Sequence, residues 1–317
     1  MHRSTAKFIS YDLRPAKQSE RRLLIEVLKT GGDCGLPIGD YRYVGMGANR
    51  FYDFLLMHRY LGIRKMTSLE HDPKMFRRAE FNVPFGFIDV LPNTVADFLA
   101  SDKLSHPDVF WFDYDGGIAS TILDDIASMA VRAKVGDFCF VTVFGGPTRS
   151  LERVNDQERL LAVQEEFGAF AGQLTLGDVE RSAFPRAVHK MLAAAFVNAF
   201  SPRIEGRFYP LLQVKYSDSA PMVTVGGAFL TEGQGASYTA RLKATMPYLA
   251  PPRNQMYEIV SLNLTERERA LFDRAVTASS KRTKERRTLK GLGFSEEELA
   301  AYRDMIRYLP RYVETIV

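Results

Sequence analysis

Two aspartates at the end of an apolar segment are the residues of this sequence best suited to chemistry. The segment DVFWF runs directly into Asp113, Tyr114 and Asp115, and two glycines follow. A carboxylate at such a position can act as a general base or orient a substrate, and a tyrosine can stack on it or offer its hydroxyl. An Asp-Gly turn that caps the next helix would use the same residue types. We predict Asp113, Tyr114 and Asp115 as catalytic residues and keep the capping turn as the alternative.

A turn with two glycines lies earlier in the chain. In YRYVGMGANRFYDFLL, an apolar strand reaches Gly45 and Gly47, and a helical pattern begins directly after them. Glycine lets the backbone approach another group closely. A strand, a glycine turn and a helix start form the ligand site of many parallel α/β sheets, so we predict that Gly45 and Gly47 bind a ligand. A plain connection between strand and helix is the alternative.

These segments belong to a regular alternation of strands and helices. Five alternations fit into about 105 residues, and continuous apolar runs such as FCFVTVF are typical of strands covered on both faces. The pattern predicts a doubly wound, mostly parallel α/β sheet, which binds ligands at the carboxyl ends of its strands. The predicted strands are 41–45, 65–72, 85–91, 108–117 and 136–146.

The second half of the chain departs from this alternation. Residues 150–205 read as a helical insertion, and 208–230 as two strands joined by SDSAP in an antiparallel hairpin. Ser19 is the predicted cap of the first helix, over 19–29. We predict an α/β domain over 1–249, then a linker from residue 250 and a helical extension over 250–317, with capping boxes at Thr265 and Ser295.

The composition is that of an ordinary globular protein. Of the 317 residues, 46% are apolar and 25% are charged. No apolar run approaches the length of a membrane span, and the first residues lack the apolar core of a signal peptide. Two cysteines, Cys34 and Cys139, give neither a disulfide framework nor a metal-binding spacing. We therefore expect a cytoplasmic protein without membrane contacts; its oligomeric state stays open.

The order and spacing of these segments resembles the class I S-adenosylmethionine-dependent methyltransferase fold. The resemblance covers roughly residues 20–230, and in that fold a seven-stranded sheet ends in a reversed last strand. Much of residues 11–120 also resembles a bacterial family of O-methyltransferases that has no established substrate. The shared segments are the Arg-Pro-Ala-Lys start, the YVGMG turn, SLE, FNVPF and DYDG.

The resemblance implies S-adenosylmethionine as the cofactor. Gly45 and Gly47 would lie against its methionine part, although Asn49 stands where the fold has a third glycine. Glu70, which ends the second strand, would accept hydrogen bonds from both ribose hydroxyls through its two carboxylate oxygens. Asp72, two residues on, is the alternative.

The resemblance also places other residues. Asn93 and Thr94 would border the adenine, unless Thr94 simply caps a helix. The reactive methyl group would lie over Asp113, because this is the end of the fourth strand. The Pro-Pro pair of amino methyltransferases and the Asp-Asn pair of metal-dependent O-methyltransferases are both missing from this sequence. An oxygen acceptor is therefore favoured over nitrogen, and no metal is expected.

Basic residues offer two further sites. Arg14 and Lys17 could fold over the site and meet a substrate anion, or they could be two solvated cations. Residues 281–290, KRTKERRTLK, could contact a nucleic acid backbone, but a solvated loop between two helices is the favoured reading. The leading function is metal-independent methyl transfer from S-adenosylmethionine to an unidentified acceptor. The alternatives are an inactive methyltransferase-like binding or regulatory protein and a nucleic-acid-directed enzyme.

Overall fold

Eight strands form one sheet in the computed structural model, which describes residues 14–101, 107–249, 255–278 and 283–310. The strands are β1 Arg42–Gly45, β2 Lys65–Leu69, β3 Ile88–Leu91, β4 Asp108–Gly117, β5 Phe138–Phe144, β6 Arg207–Ser217, β7 Pro221–Leu230 and β8 Tyr257–Ile259. Their order across the sheet is β3-β2-β1-β4-β5-β7-β6-β8.

All neighbouring strands are parallel except those that pair with β7, which runs antiparallel to both β5 and β6. The predicted mostly parallel α/β sheet and its antiparallel hairpin are therefore confirmed. The sequence predicted seven strands, and the eighth is β8, which pairs with β6. Three residues are too few to show the alternation that marks a strand in a sequence, and they lie in the segment predicted to be helical.

Twelve α-helices connect and cover the strands within the described residues. They are α1 Pro15–Asp33, α2 Tyr52–Leu61, α3 Pro73–Asn82, α4 Val95–Ser101, α5 Ser120–Arg132, α6 Asp156–Phe167, α7 Leu176–Val179, α8 Phe184–Phe200, α9 Glu232–Thr245, α10 Glu266–Thr277, α11 Lys284–Gly291 and α12 Glu296–Met305. None of the helices in these ranges is both long and apolar enough to cross a membrane.

The sheet lies between two hydrophobic layers. One contains apolar residues of α1, α2, α3 and α9 together with inward-facing residues of the sheet. The other contains those of α4, α5, α6 and α8. Because side chains alternate along a strand, neighbouring residues of β4 enter different layers: Trp111 packs on the α1 side and Phe112 on the α5 side.

Several predicted boundaries change. The first helix begins at Pro15, and Ser19 lies inside it rather than capping it, with its hydroxyl donating to the Pro15 carbonyl. Residues 232–245 form a helix that the sequence did not predict. The described part of the basic run is a helix, α11, rather than the predicted loop, and Thr283 caps it. The predicted capping boxes at Thr265 and Ser295 are both present. Most of the predicted linker, 250–254, lies outside the described residues.

A fully buried carboxylate joins two strands at the amino-terminal edge of the sheet. Asp137 accepts hydrogen bonds from the backbone N–H of Asp108, at 2.8 Å, and of Lys134, at 2.7 Å. Burial raises the pKa of Asp137 to about 7. The folded state thus holds this proton more tightly than the unfolded chain. The corresponding stabilisation is complete below the unfolded pKa of about 4 and is lost as the pH rises through about 7.

We expect Asp137→Asn to become more stable relative to the natural protein as the pH rises from 4 to 8. The asparagine stays neutral, so it escapes the cost of burying a charge, which is on the order of 4 kcal/mol for a pKa raised this far. Urea unfolding at several pH values measures the difference. Asp124→Asn, at an exposed position on α5, controls for the lost negative charge. A difference that stays constant across this pH range would contradict the prediction.

Candidate functional site

The candidate site lies at the carboxyl edge of the sheet, the edge where the parallel strands end. The chain fills the sheet from β1 outward to β3 and then crosses back to β4, so the strand order reverses between β1 and β4. These two neighbours are paired, with Gly45 opposite Trp111. Open α/β sheets bind ligands in the crevice that such a reversal creates.

The chain's own packing requires both glycines of the turn after β1. A Cβ atom on Gly45 would lie 2.6 Å from the Tyr43 hydroxyl oxygen, and one on Gly47 would lie 2.6 Å from the Phe51 ring. The Gly47 N–H also donates to Ser68 Oγ at 3.0 Å. The absence of side chains here is therefore needed for the fold itself, and a ligand contact at Gly45 and Gly47 stays a prediction.

The same turn has two features that packing does not explain. Ala48 and Phe51 have φ values of 44° and 49°, in the left-handed region that side chains disfavour. Both amide atoms of Asn49 are buried and lack a hydrogen-bond partner among the described residues. Strained backbone and unsatisfied buried polar groups are concentrated at ligand sites. Asn49, which the sequence showed only as a departure from the third glycine, is thus a candidate ligand-binding residue.

The two acids after β2 have different environments. The Asp72 carboxylate accepts hydrogen bonds from the backbone N–H of Lys74 and Met75, both at 2.9 Å, and caps α3. Glu70 is half-buried, and its carboxylate accepts the Asp72 backbone N–H at 3.0 Å. Burial, with a smaller contribution from nearby acids, raises the pKa of Glu70. Because the Asp72 carboxylate caps α3, Glu70 is the better candidate for binding a ligand.

The turn after β3 contains the two residues predicted to border the adenine. The Thr94 hydroxyl donates to Asp97 Oδ2 at 2.6 Å and accepts the Asp97 backbone N–H at 3.1 Å. Thr94 therefore performs the capping role that the sequence left open as its alternative. Asn93 is half-buried just before it. A cofactor contact by either residue stays a prediction.

Asp113 forms an ion pair with Lys17. Its Oδ2 lies 2.7 Å from Lys17 Nζ, and its side chain is 22% exposed while that of Lys17 is 3% exposed. The ammonium also lies 4.9 Å from the centroid of the Trp111 ring. Lys17 is thus not a solvated cation. It reaches the predicted site but contacts a carboxylate of its own chain there.

A second carboxylate shares this ammonium. Glu20, one turn along α1 and fully buried, places Oε2 2.7 Å from Lys17 Nζ. Its Oε1 accepts hydrogen bonds from the hydroxyls of Thr142, at 3.2 Å, and Thr224. We call Lys17, Glu20, Asp113, Thr142 and Thr224 the Lys17 cluster.

The pKa shifts in the Lys17 cluster follow from its burial and its charges. Burial opposes the charge of Lys17, but the carboxylates of Asp113 and Glu20 outweigh it, so the pKa of Lys17 lies well above its usual value. Burial raises the pKa of Glu20, and the nearby cation only partly offsets that rise. Lys17 is therefore charged at neutral pH, and it supplies the positive charge that faces Asp113.

The structure separates Tyr114 from Asp113. The Tyr114 hydroxyl donates to Asp125 Oδ2 at 2.6 Å, on the α5 side of the sheet. Burial and the Asp125 charge raise the pKa of Tyr114 well above its usual value. Asp115 is exposed and lies in an irregular stretch of β4 between Asp113 and Gly117. Asp113 and Asp115 stay candidates for catalysis, whereas the Tyr114 hydroxyl points away from them.

Arg14 lies at the N-terminal end of α1, three residues before Lys17. Its backbone carbonyl accepts the N–H of Gln18 at 2.9 Å, and the residue is half-buried. The structure thus brings Arg14 near the start of the helix that carries Lys17. Its contact with a substrate stays a prediction.

A distant aspartate fixes the start of α1. Asp218, in the turn between β6 and β7, accepts the backbone N–H of Ala16 at 2.9 Å and of Lys17 at 3.0 Å. It thereby satisfies two of the N–H groups that every helix leaves open at its first turn. A carboxylate there also interacts favourably with the helix dipole. The hairpin predicted from the sequence therefore positions Lys17.

We expect Asp218→Ala to lower the free energy of unfolding by about 1–2 kcal/mol, the usual cost of losing a helix cap. Asp218→Asn should lose less, because its amide oxygen still accepts one bond. Ser219→Ala, an exposed position in the same turn, is the control. Chemical denaturation measures all three variants. Equal stability of Asp218→Ala and the control would show that the cap contributes nothing.

Several residues of the site were missed in the sequence. Glu20 lies in SERRLL, where it has the appearance of a charge on an exposed helix face, and Thr142 and Thr224 lie inside apolar strands. The i,i+3 spacing of Lys17 and Glu20 was the available signal for their pairing. Their burial depends on contacts with strands more than 100 residues away.

Two solved structures similar to this chain are methyltransferases. One is an O-methyltransferase from Bacillus cereus in complex with SAH, with 14% identity over 70% of this chain and 85% of that chain and a TM-score of 0.41. The other is the S-adenosylmethionine-dependent methyltransferase SibL, with 13% identity over 66% of this chain and 55% of that chain and a TM-score of 0.37. A comparison with curated proteins finds no match.

A protein-family model gives the decisive comparison. The model described as "Putative O-methyltransferase" matches residues 9–317, nearly the whole chain. The match includes the glycine turn, Glu70, the Lys17 cluster and the C-terminal helices. The chain therefore belongs to this O-methyltransferase family.

Proposed function

We propose that this chain transfers the methyl group of S-adenosylmethionine to an oxygen of its acceptor, with Asp113 as the general base. The observation that carries the proposal is the partly exposed Asp113 carboxylate, which pairs with the buried ammonium of Lys17. This pair lies at the carboxyl edge of the sheet, beside the point between β1 and β4 where the strand order reverses. Family membership supports the reaction class. Neither observation identifies the acceptor.

The residues of the carboxyl edge fit the cofactor. The unsatisfied amide of Asn49 can donate to and accept from the amino acid part of S-adenosylmethionine. Glu70 offers two acceptor oxygens to the ribose hydroxyls, and Asn93 follows β3 where the adenine is expected. When bound, the sulfonium supplies a methyl group that is already activated. The protein's contribution is then mainly proximity and orientation.

Asp113 would act on the acceptor. A carboxylate at hydrogen-bond distance from the acceptor hydroxyl can orient it and take its proton. Lys17 holds this carboxylate in place from the buried side, while the exposed part of Asp113 remains accessible. Asp115, exposed and two residues on, would contact the acceptor at the rim of the site.

The proposal needs no metal ion. The described ranges, from residue 14 to 310 with their gaps, contain no group of three or more His, Cys, Asp or Glu side chains placed to hold one. The sequence likewise lacks the Asp-Asn pair at the end of β5. Activity that survives EDTA would support this part of the proposal, and activity restored by Mg²⁺ would contradict it.

A label-transfer assay tests the reaction. The protein is incubated with methyl-labelled S-adenosylmethionine and fractions of a bacterial extract, and the label is followed into acceptor molecules. We expect labelled product that depends on the natural protein and forms far more slowly with Asp113→Asn. Binding of the cofactor without label transfer to any fraction would favour the alternative, an inactive methyltransferase-like binding protein.

The proposal of a nucleic acid partner has less support. Arg286 in the basic run pairs with Glu296 at 2.8 Å, and α11 packs on α10. Its cation is thus partly neutralised within the fold, and residues 281 and 282 lie outside the described part. We also propose a cytoplasmic location, which suits the two free cysteines.

A further inference from the structure

The ammonium of Lys17 lies between two carboxylates at equal distance. Nζ is 2.7 Å from Asp113 Oδ2 and 2.7 Å from Glu20 Oε2. The Lys17 side chain is 3% exposed and that of Glu20 is fully buried, whereas that of Asp113 is 22% exposed. One buried cation is therefore shared by a buried carboxylate and a partly exposed one.

We propose that Glu20 is a second counter-ion of Lys17, which keeps the buried ammonium paired when Asp113 takes up a proton. By holding Lys17 in place, Glu20 positions Asp113, the proton-accepting carboxylate. The inference rests on the proposed function, because it assigns a role to Glu20 in the proton transfer there. Glu20 does not contact the acceptor. It acts through Lys17, so it is a positioning residue rather than a catalytic one.

The proton transfer to Asp113 shows why Lys17 needs a second counter-ion. The O–H bond of the acceptor breaks, a bond forms between that proton and an Asp113 oxygen, and the acceptor oxygen keeps the electron pair for its new bond to the methyl carbon. The bond from that carbon to the sulfur of S-adenosylmethionine would break at the same time, and its electron pair would stay on the sulfur. Asp113 is then neutral and no longer balances Lys17. Because Glu20 remains a carboxylate 2.7 Å away, the buried ammonium keeps an ion pair. The proton leaves Asp113 to solvent through its exposed side.

Burial makes this pairing important. Leaving a buried charge without a partner costs about 3–5 kcal/mol, far more than an exposed ion pair contributes. Thr142 and Thr224 hold Glu20 in place by donating to Oε1, which leaves Oε2 to face Lys17. Glu20 is thus oriented from the opposite side by groups that do not titrate.

Other charged and titratable groups around the cluster do not replace Glu20. Arg21 pairs with Asp53, so this pair adds no net charge. Burial raises the pKa of Tyr43 and of Tyr216 well above their usual values, so both stay neutral. The groups that face the cluster are Arg21 on α1, Tyr43 on β1, Asp53 on α2 and Tyr216 on β6.

Carbon-13 NMR of the Glu20 carboxyl group tests the shared cation without cofactor or acceptor. In the natural protein, the charge of Asp113 raises the pKa of Glu20 and that of Lys17 lowers it. We expect the Glu20 titration midpoint to fall by about one pH unit or more in Asp113→Asn, and to rise by a similar amount in Lys17→Met. If Lys17→Met does not fold, Asp113→Asn alone decides. A midpoint that Asp113→Asn leaves unchanged would overturn the proposal.

Glu20→Gln tests the functional consequence. The glutamine oxygen still accepts from the two threonines, but the side chain no longer balances Lys17. We expect label transfer to fall about tenfold or more and its pH dependence to shift, with cofactor affinity unchanged.

Glu26→Gln is the matched control, because Glu26 pairs with Lys29 on the same helix at a partly exposed site. Equal transfer rates and pH profiles in both variants would overturn the role of Glu20. Failure of the natural protein to transfer label while the NMR result holds would instead count against the proposed function alone.

Discussion

Asp113→Asn should lower the rate of methyl transfer by about 10²-fold or more, the usual contribution of a general base. The amide has nearly the volume of the carboxylate but cannot take the acceptor proton. We expect S-adenosylmethionine to bind with nearly unchanged affinity, because Asp113 contacts Lys17 rather than the turn after β1. The fold should also survive, since Lys17 keeps its ion pair with Glu20. Single-turnover label transfer and calorimetry measure the two quantities.

Asp115→Asn is the companion variant. Asp115 is exposed and two residues further along β4, so we expect a smaller fall in transfer rate with the same unchanged cofactor affinity. Full activity in both variants would remove the catalytic assignment from the end of β4. A large loss of stability in Asp113→Asn would instead mark Asp113 as a structural residue. A loss of cofactor affinity confined to Asp113→Asn would show that it positions the cofactor.

Glu70→Ala should weaken cofactor binding by about 1–3 kcal/mol, the value of hydrogen bonds to a charged group, which corresponds to roughly 5- to 150-fold in Kd. Glu70 is half-buried at the end of β2, and its carboxylate accepts only one backbone N–H among the hydrogen bonds described here. Its carboxylate oxygens can therefore still accept hydrogen bonds from ribose hydroxyls.

Asp72→Ala is the matched control for Glu70→Ala. Asp72 uses its carboxylate to cap α3, so its loss should lower the free energy of unfolding by about 1 kcal/mol and leave cofactor affinity nearly unchanged. Calorimetry and urea unfolding of both variants separate the two effects. If Asp72→Ala weakened binding more than Glu70→Ala, the ribose contact would belong to Asp72.

The sheet could be predicted because its signals are local. Continuous apolar runs and glycine turns identified the five strands before the hairpin, and the alternation with helices indicated their parallel arrangement. The location of Asp113 at the carboxyl edge follows directly from that arrangement. Local signals also identified the capping boxes at Thr265 and Ser295.

The Lys17 cluster could not be predicted in full because it depends on tertiary contacts. The start of α1 is set by Asp218, about 200 residues away, whereas the local sequence favours the nearby Ser19 as the cap. Glu20 accepts a hydrogen bond from Thr224, which also lies about 200 residues away along the chain. Periodicity alone cannot distinguish such a buried charge from a solvated one.

Calorimetric titration of the natural protein with S-adenosylmethionine tests the central claim most directly, because every proposed role at the carboxyl edge depends on this cofactor. The account predicts saturable binding with one site per chain, weakened in Glu70→Ala and retained in Asp113→Asn. The absence of any binding at millimolar S-adenosylmethionine by a folded protein would contradict it.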